Sequence, residues 1–166
     1  MQLNGLIYTL PKEVKLLIGA FILVLSIGFY TGLLFVGETS SAAPNGIEEQ
    51  YLGNEADEDA EVMKFKKSEQ EMLTLVHNHI LSMSIIFFLV GLVLSTTKLN
   101  QKLKLFLIVE PFVSVVLTFG GLYLLWTGLL WMKYIVILSG ILMTLTFTAS
   151  VLIILFQLFK NKTTTA

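Results

Sequence analysis

The chain has no cysteine, no arginine and only three prolines among its 166 residues. Without cysteine it cannot form a disulfide, a thiolate metal site or an iron–sulfur cluster of its own. Without arginine, all eleven basic residues are lysines, so bidentate guanidinium clamps on phosphate or carboxylate are excluded. No basic patch suited to nucleic acid is present either, and nucleic acid is not an expected partner. Charge of both signs is scarce. Charged residues make up 14% of the chain, against about 25% in a soluble domain. There is also no phosphate-binding loop, no zinc signature and no nucleophile–base pair with an orienting third group.

What the chain has instead is four apolar runs, at residues 16–36, 73–94, 105–130 and 134–158. Each reaches or passes the roughly 20 residues that a helix needs to cross a bilayer core. The pattern predicts an all-α integral membrane protein, a four-transmembrane-helix bundle. It reads as one membrane domain over residues 1–166, with spans near 15–36, 72–96, 105–130 and 133–159. Lys12 and Lys15 precede the first run and Ser41-Ala42-Ala43 follow it, as in a secretory signal. The run is too long for a signal's apolar region of about 7–15 residues, so it is read as a retained span.

The lysines predict the orientation. Lys12 and Lys15 precede span one, Lys98, Lys102 and Lys104 join spans two and three, and Lys160 and Lys162 follow span four. Alternating spans place all three groups on one side. Positive residues favour the cytoplasm, which makes both termini cytoplasmic in a bacterial inner membrane. The loop 37–71 then lies outside with ten carboxylates and three lysines. Lys133, in the short outer turn after span three, runs against this rule. Trp126, Trp131 and Tyr134 suit the outer interface.

Within the outer loop, Pro44 and Asn45-Gly46 predict irregular chain over 37–53. From residue 55 to 94 there is no proline and one glycine, Gly91. That composition predicts that span two begins as a helix outside the membrane and runs inward unbroken. The acidic stretch 54–61 lacks the central glycine and closing glutamate of a calcium loop, and reads better as a face for a basic partner. Residues 1–10 are amphipathic enough to lie in the membrane interface.

Two polar intrusions stand out in the spans. The first is His77-Asn78-His79, just inside the outer end of span two. Residues two apart on a helix point about 200° apart, so the two imidazoles do not easily share one metal. His79 shares a face with Met83. Depth counting places Tyr30, Tyr123 and Tyr134 at the same height, which predicts an outer cluster of three phenols around one imidazole. The haem alternative uses His79 or His77, with Met132, Met143 or a second chain supplying the other axial ligand. The second intrusion is Glu110, followed by Pro111, about six residues inside the cytoplasmic end of span three. Depth counting puts Thr148 and Ser150 of span four opposite it, with Ser114 one turn on. Glu110 can serve as a proton or cation relay. Its structural alternatives are a bond to the carbonyl freed by Pro111 or a contact with Lys104. Gly28 and Gly32 form a Gly-x-x-x-Gly motif in span one, and Gly120-Gly121 lie in span three. These small residues predict close helix packing.

The segment Leu75-Val76-His77-Asn78-His79-Ile80-Leu81-Ser82-Met83 resembles a motif of small four-span bacterial membrane proteins in which H-x-H opens a transmembrane helix. The stretch Gly46-Ile47-Glu48-Glu49-Gln50-Tyr51-Leu52-Gly53 is similar to part of the same pattern. Some proteins with such a motif resemble haem-handling respiratory proteins, so the resemblance implies haem b as a candidate cofactor. Three functions follow from the sequence. One is a non-catalytic accessory subunit of a larger inner-membrane complex, with lipid and other membrane subunits or a second copy as partners. The second is electron transfer on haem b or a metal at His79 and His77. The third is proton or cation translocation involving Glu110.

Overall fold

The computed structural model describes residues 3–40, 44–55 and 62–160, and these are helical with short connections. A 3-10 turn at Leu6–Thr9 leads into α1, Lys12–Ser40. A short helix, α2, covers Pro44–Leu52. The second span is α3, Glu69–Ser95. The third is α4, Gln101–Val115, a π-type turn at Val116–Gly120, and α5, Gly121–Trp126. The fourth is α6, Met132–Phe159. Four helical stretches are therefore long and apolar enough to cross a membrane, Lys12–Thr39, Glu69–Ser95, Gln101–Trp126 and Met132–Phe159.

Spans three and four form the centre. In the most apolar window of each, 44% and 39% of residues are buried, against 17% and 22% in spans one and two. Lipid solvates the remaining apolar faces, so helix contact rests on close packing rather than on water exclusion. Gly121 shows this, because a Cβ there would sit 2.9 Å from Val136 Cγ2. The fully buried Phe147 of α6 ties three spans together. It stacks on Phe29 of α1 at 4.0 Å and meets Phe87 of α3 edge-on at 6.2 Å.

α1 packs along α6 in one antiparallel register. Tyr30 meets Thr148, and Gly19 lies against Leu158 and Phe159. In that register Lys12 projects about 10 Å beyond the end of α6. The N-terminal segment folds back onto the connection between α3 and α4. Ile7 N–H donates to Thr96 O (3.1 Å), and Asn4 Oδ1 accepts from Lys104 Nζ (2.8 Å). Lys104 also donates to Ser95 O and Thr97 O, capping the last carbonyls of α3 where the helix dipole favours a cation. Residues 1–2 lie outside the described residues, but the remainder of this segment is a packed plug with Ile7 fully buried.

The acidic end departs from expectation in two ways. Residues 37–40 and 44–52 are helical rather than irregular, since α1 runs on to Ser40 and Pro44 opens α2 where its missing N–H is no loss. The unbroken helix expected from residue 55 does not form over residues 62–67, while residues 56–61 lie outside the described residues. α3 begins only at Glu69. Ser68 caps it, accepting from Glu71 N–H while the Glu71 carboxylate accepts from Ser68 N–H, a reciprocal capping box. Span two thus extends past its apolar run by one turn rather than five.

Before that cap, residues 44–55 and 62–67 fold over the bundle end as a lid. Gly53 takes a left-handed conformation (φ 84°) and turns the chain back. Asn54 then clamps the returning strand, its side-chain amide donating to Val62 O (2.9 Å) and its Oδ1 accepting from Lys64 N–H (2.6 Å). Lys67 N–H donates to Tyr51 O, and burial pushes the Tyr51 phenol above its ordinary range. Three spans hold the lid. Lys64 Nζ donates to Thr39 O of α1, Trp126 Nε1 donates to Lys67 O (2.7 Å), and Lys133 of α6 pairs with Glu48 of α2 at 2.6 Å. Lys133, anomalous as an orientation signal, is spent on this ion pair.

Candidate functional site

Glu110 is the one carboxylate among the described residues that is buried, at 7% exposure. It faces the interface of spans three and four. Ser114, one turn along α4, donates to its Oε1, and Thr146 of α6 donates to its Oε2 at 2.5 Å. The Thr146 hydroxyl also lies 3.0 Å from Leu142 O and 3.1 Å from Met143 O. One hydroxyl hydrogen therefore faces a carboxyl and two backbone carbonyls. Four residues from Ser114, on the same face, Thr118 meets Ser139 of α6 at 2.7 Å, and Ser139 reaches Ile135 O. Glu110, Ser114, Thr118, Ser139, Thr146 and Ser150 are all buried and form a polar seam between two apolar spans.

The local sequence explains the seam. Glu110, Ser114 and Thr118 recur at i, i+4 and i+8, which is one face of a helix. Pro111 removes the hydrogen bond that its N–H would give Leu107 O, yet α4 continues through it. The backbone loosens five residues later, at the π-type turn that carries Thr118 and Phe119.

Depth counting found the level of the Glu110 partner but not its identity. Thr146, not Thr148, bonds Glu110. Thr148 points about 200° away and donates to Thr144 O (2.7 Å), so Tyr30 must donate to Thr148 (2.8 Å). Ser150 is buried in the seam without a hydrogen bond to Glu110. Lys104 is occupied at the basic end and does not reach Glu110 either.

The histidine cluster does not assemble. Both rings are exposed. His79 stacks on Phe119 at 4.6 Å, and its Nδ1 lies 2.8 Å from Leu75 O. No described residue pairs with His77. Of the three phenols, Tyr30 bonds Thr148, Tyr123 lies against Trp126, and Tyr134 sits beside the Lys133 ammonium. Met83 packs against the core, and Met132 and Met143 are buried within it. A haem between the spans would meet no imidazole facing it. Among the described residues no three His, Cys, Asp or Glu side chains gather as a metal site.

The small-residue motif also falls elsewhere than expected. A Cβ on Gly28, Gly32 or Gly120 would meet nothing within 4 Å, and of these four glycines Gly121 alone makes a tight contact. Gly28 and Gly32 themselves therefore face no helix among the described residues.

Four apolar spans around one buried carboxyl define a small polytopic helical membrane protein. Residues 41–165 match a family described as a transmembrane helical domain, and the chain belongs to it. The matched stretch takes in the lid, spans two to four and the whole polar seam. No curated protein and no solved structure matches the chain.

Proposed function

We propose that the protein is a non-catalytic membrane subunit that binds and releases a proton at Glu110. The observation that carries this reading is a buried carboxyl with each oxygen on a hydroxyl from a different side of a helix interface. Ionisable groups at such depth are costly and are kept where they carry a function. A proton suits the site better than a metal cation. The hydroxyls bond the carboxyl directly, at 2.5 Å for Thr146, which leaves no space for an ion between them. The seam falls into two hydrogen-bonded groups, Glu110–Ser114–Thr146 and Thr118–Ser139. The second group is carried by the π-type turn, which begins two residues after Ser114 and is a place where a helix can shift register at low cost.

Orientation follows from charge. The lysine-rich end carries the N-terminal plug, the end of α6 and the α3–α4 connection, and faces the cytoplasm of a bacterial inner membrane on the positive-inside rule. Membership of a larger complex is favoured by α1, whose Gly28–Gly32 face is open and whose outer half exposes Leu34, Phe35 and Val36.

The test is proton flux into liposomes that carry the protein and a trapped pH dye, under an imposed gradient. Wild type is expected to dissipate the gradient faster than protein-free liposomes. Glu110→Gln should return the rate to that of protein-free liposomes while helicity and detergent elution stay unchanged. Wild-type flux no faster than protein-free liposomes, or normal flux in Glu110→Gln, sinks the proton reading. Subunit membership is tested separately, by native extraction of the tagged chain. A lone, monodisperse protein would count against it.

A further inference from the structure

We infer that the cleft between α1 and α6 holds one acyl chain of an anionic phospholipid, whose phosphate sits between Lys15 and Lys160. The cleft has a volume of about 460 Å³ and is open rather than enclosed. Leu23, Ile27 and Leu34 of α1 and Leu152 and Leu155 of α6 form its walls. Its few polar atoms are already satisfied within the chain. Ser26 donates to Ile22 O, Thr31 to Gly28 O, and Tyr30 to Thr148, which donates to Thr144 O. A cleft whose donors are all spent suits a hydrocarbon chain and offers nothing to a polar ligand.

Charge selects the headgroup. The register of α1 on α6 brings Lys15 and Lys160 to levels about 5 Å apart along the axis. Leu155, at the near end of the cleft, lies about 8 Å deeper than Lys160. A lipid with its phosphate at the lysines would therefore lead a chain into the cleft. Among the described residues the ion pairs are Lys67–Glu71 and Lys133–Glu48, both at the acidic end. Among the described residues no carboxylate pairs with Lys15 or Lys160, and Glu13 is the only acidic side chain in the sequence on the basic side. Lys15 spends one N–H on Tyr8 O (3.2 Å) and keeps two for a phosphate.

The experiment is native mass spectrometry of the full chain in mild detergent, titrated with dioleoyl phosphatidylglycerol or dioleoyl phosphatidylcholine. One phosphatidylglycerol should be retained in preference to phosphatidylcholine. Lys15→Gln with Lys160→Gln should weaken phosphatidylglycerol retention about 25-fold, at about fivefold per lysine. Ile27→Trp, which fills the cleft, should weaken both lipids. Lys102→Gln, at the same end on α4, should change neither. Equal retention of the two lipids overturns the headgroup assignment. Loss in Lys102→Gln as large as in the double variant overturns the site in favour of diffuse attraction. Unchanged retention in Ile27→Trp overturns the cleft, and glycerophosphate binding as tightly as the whole lipid does the same. A lipid-free dimer that Ile27→Trp converts to monomer would give the cleft to a second copy instead.

Discussion

A single methyl group at position 53 is expected to unseat the lid over the acidic end. Gly53 has φ 84°, where an L side chain is strained. A Cβ there would also lie 2.8 Å from Lys66 N and 2.9 Å from Lys64 O. These are backbone atoms of the returning strand, so they cannot swing aside as a flexible side chain would. Gly53→Ala should therefore cost the lid about 2–3 kcal/mol. Asparagine tolerates the left-handed region better than alanine. If backbone strain alone mattered, Gly53→Asn would largely restore the lid. The close approach predicts that it fails as badly as alanine. Trp126 reports the outcome, because its indole N–H is bonded to Lys67 O. In a Trp131→Phe background, emission should shift to the red in both variants. Unmoved emission in Gly53→Ala would show that the strand is not seated as described.

The second large effect separates stability from activity. Thr146→Val removes a hydroxyl from a buried carboxyl oxygen and should destabilise the protein by about 1–3 kcal/mol. Glu110→Leu removes the carboxyl itself. The Thr146 hydroxyl then falls back on Leu142 O, already 3.0 Å away. Replacing a buried hydrogen-bonded group and its partner by apolar groups is often neutral or stabilising. Glu110→Leu, and Glu110→Leu with Thr146→Val, should therefore unfold at or above the wild-type temperature while losing all Glu110-dependent flux. A carboxyl kept for structure predicts the opposite order, with Glu110→Leu the least stable of the three. Thermal unfolding in one detergent, read by circular dichroism, distinguishes the two.

The spans were legible because runs of this length and apolarity have one economical solution in a bilayer, and the lysine groups fixed which ends lie together. The lid was not legible from propensity. Residues 55–71 are rich in helix formers, but two short-range devices override them. Gly53-Asn54 turns and clamps the chain, and Ser68-Glu69-Gln70-Glu71 spells a capping box that marks the start of α3. Both were readable as local motifs, and the helical composition around them masked both. Lys133 looked like a violation of charge asymmetry because its partner, Glu48, lies 85 residues away.

Within the seam, Glu110 and Ser114 could be paired from sequence because they sit four apart on one helix. Choosing Thr146 over Thr148 needs the rotation of α6 about its axis, which depth counting does not supply. The same lack of rotational information leaves open in the sequence which imidazole faces the bundle; in the fold both rings are exposed, and His79 stacks on Phe119. Gly28 and Gly32 show the converse case. Their spacing permits close helix contact, but whether a helix of this chain arrives there depends on how α1 lies along α6.

The proton-binding assignment is tested most directly by pH-difference infrared spectroscopy of the reconstituted protein. Wild type should show a carboxylic-acid C=O stretch that is lowered by the hydroxyls bonded to it and shifts further down in D2O. Glu110→Gln should lack that component and keep the bands of the exposed carboxyls. Identical difference spectra from the two proteins would mean that Glu110 does not bind a proton in the seam.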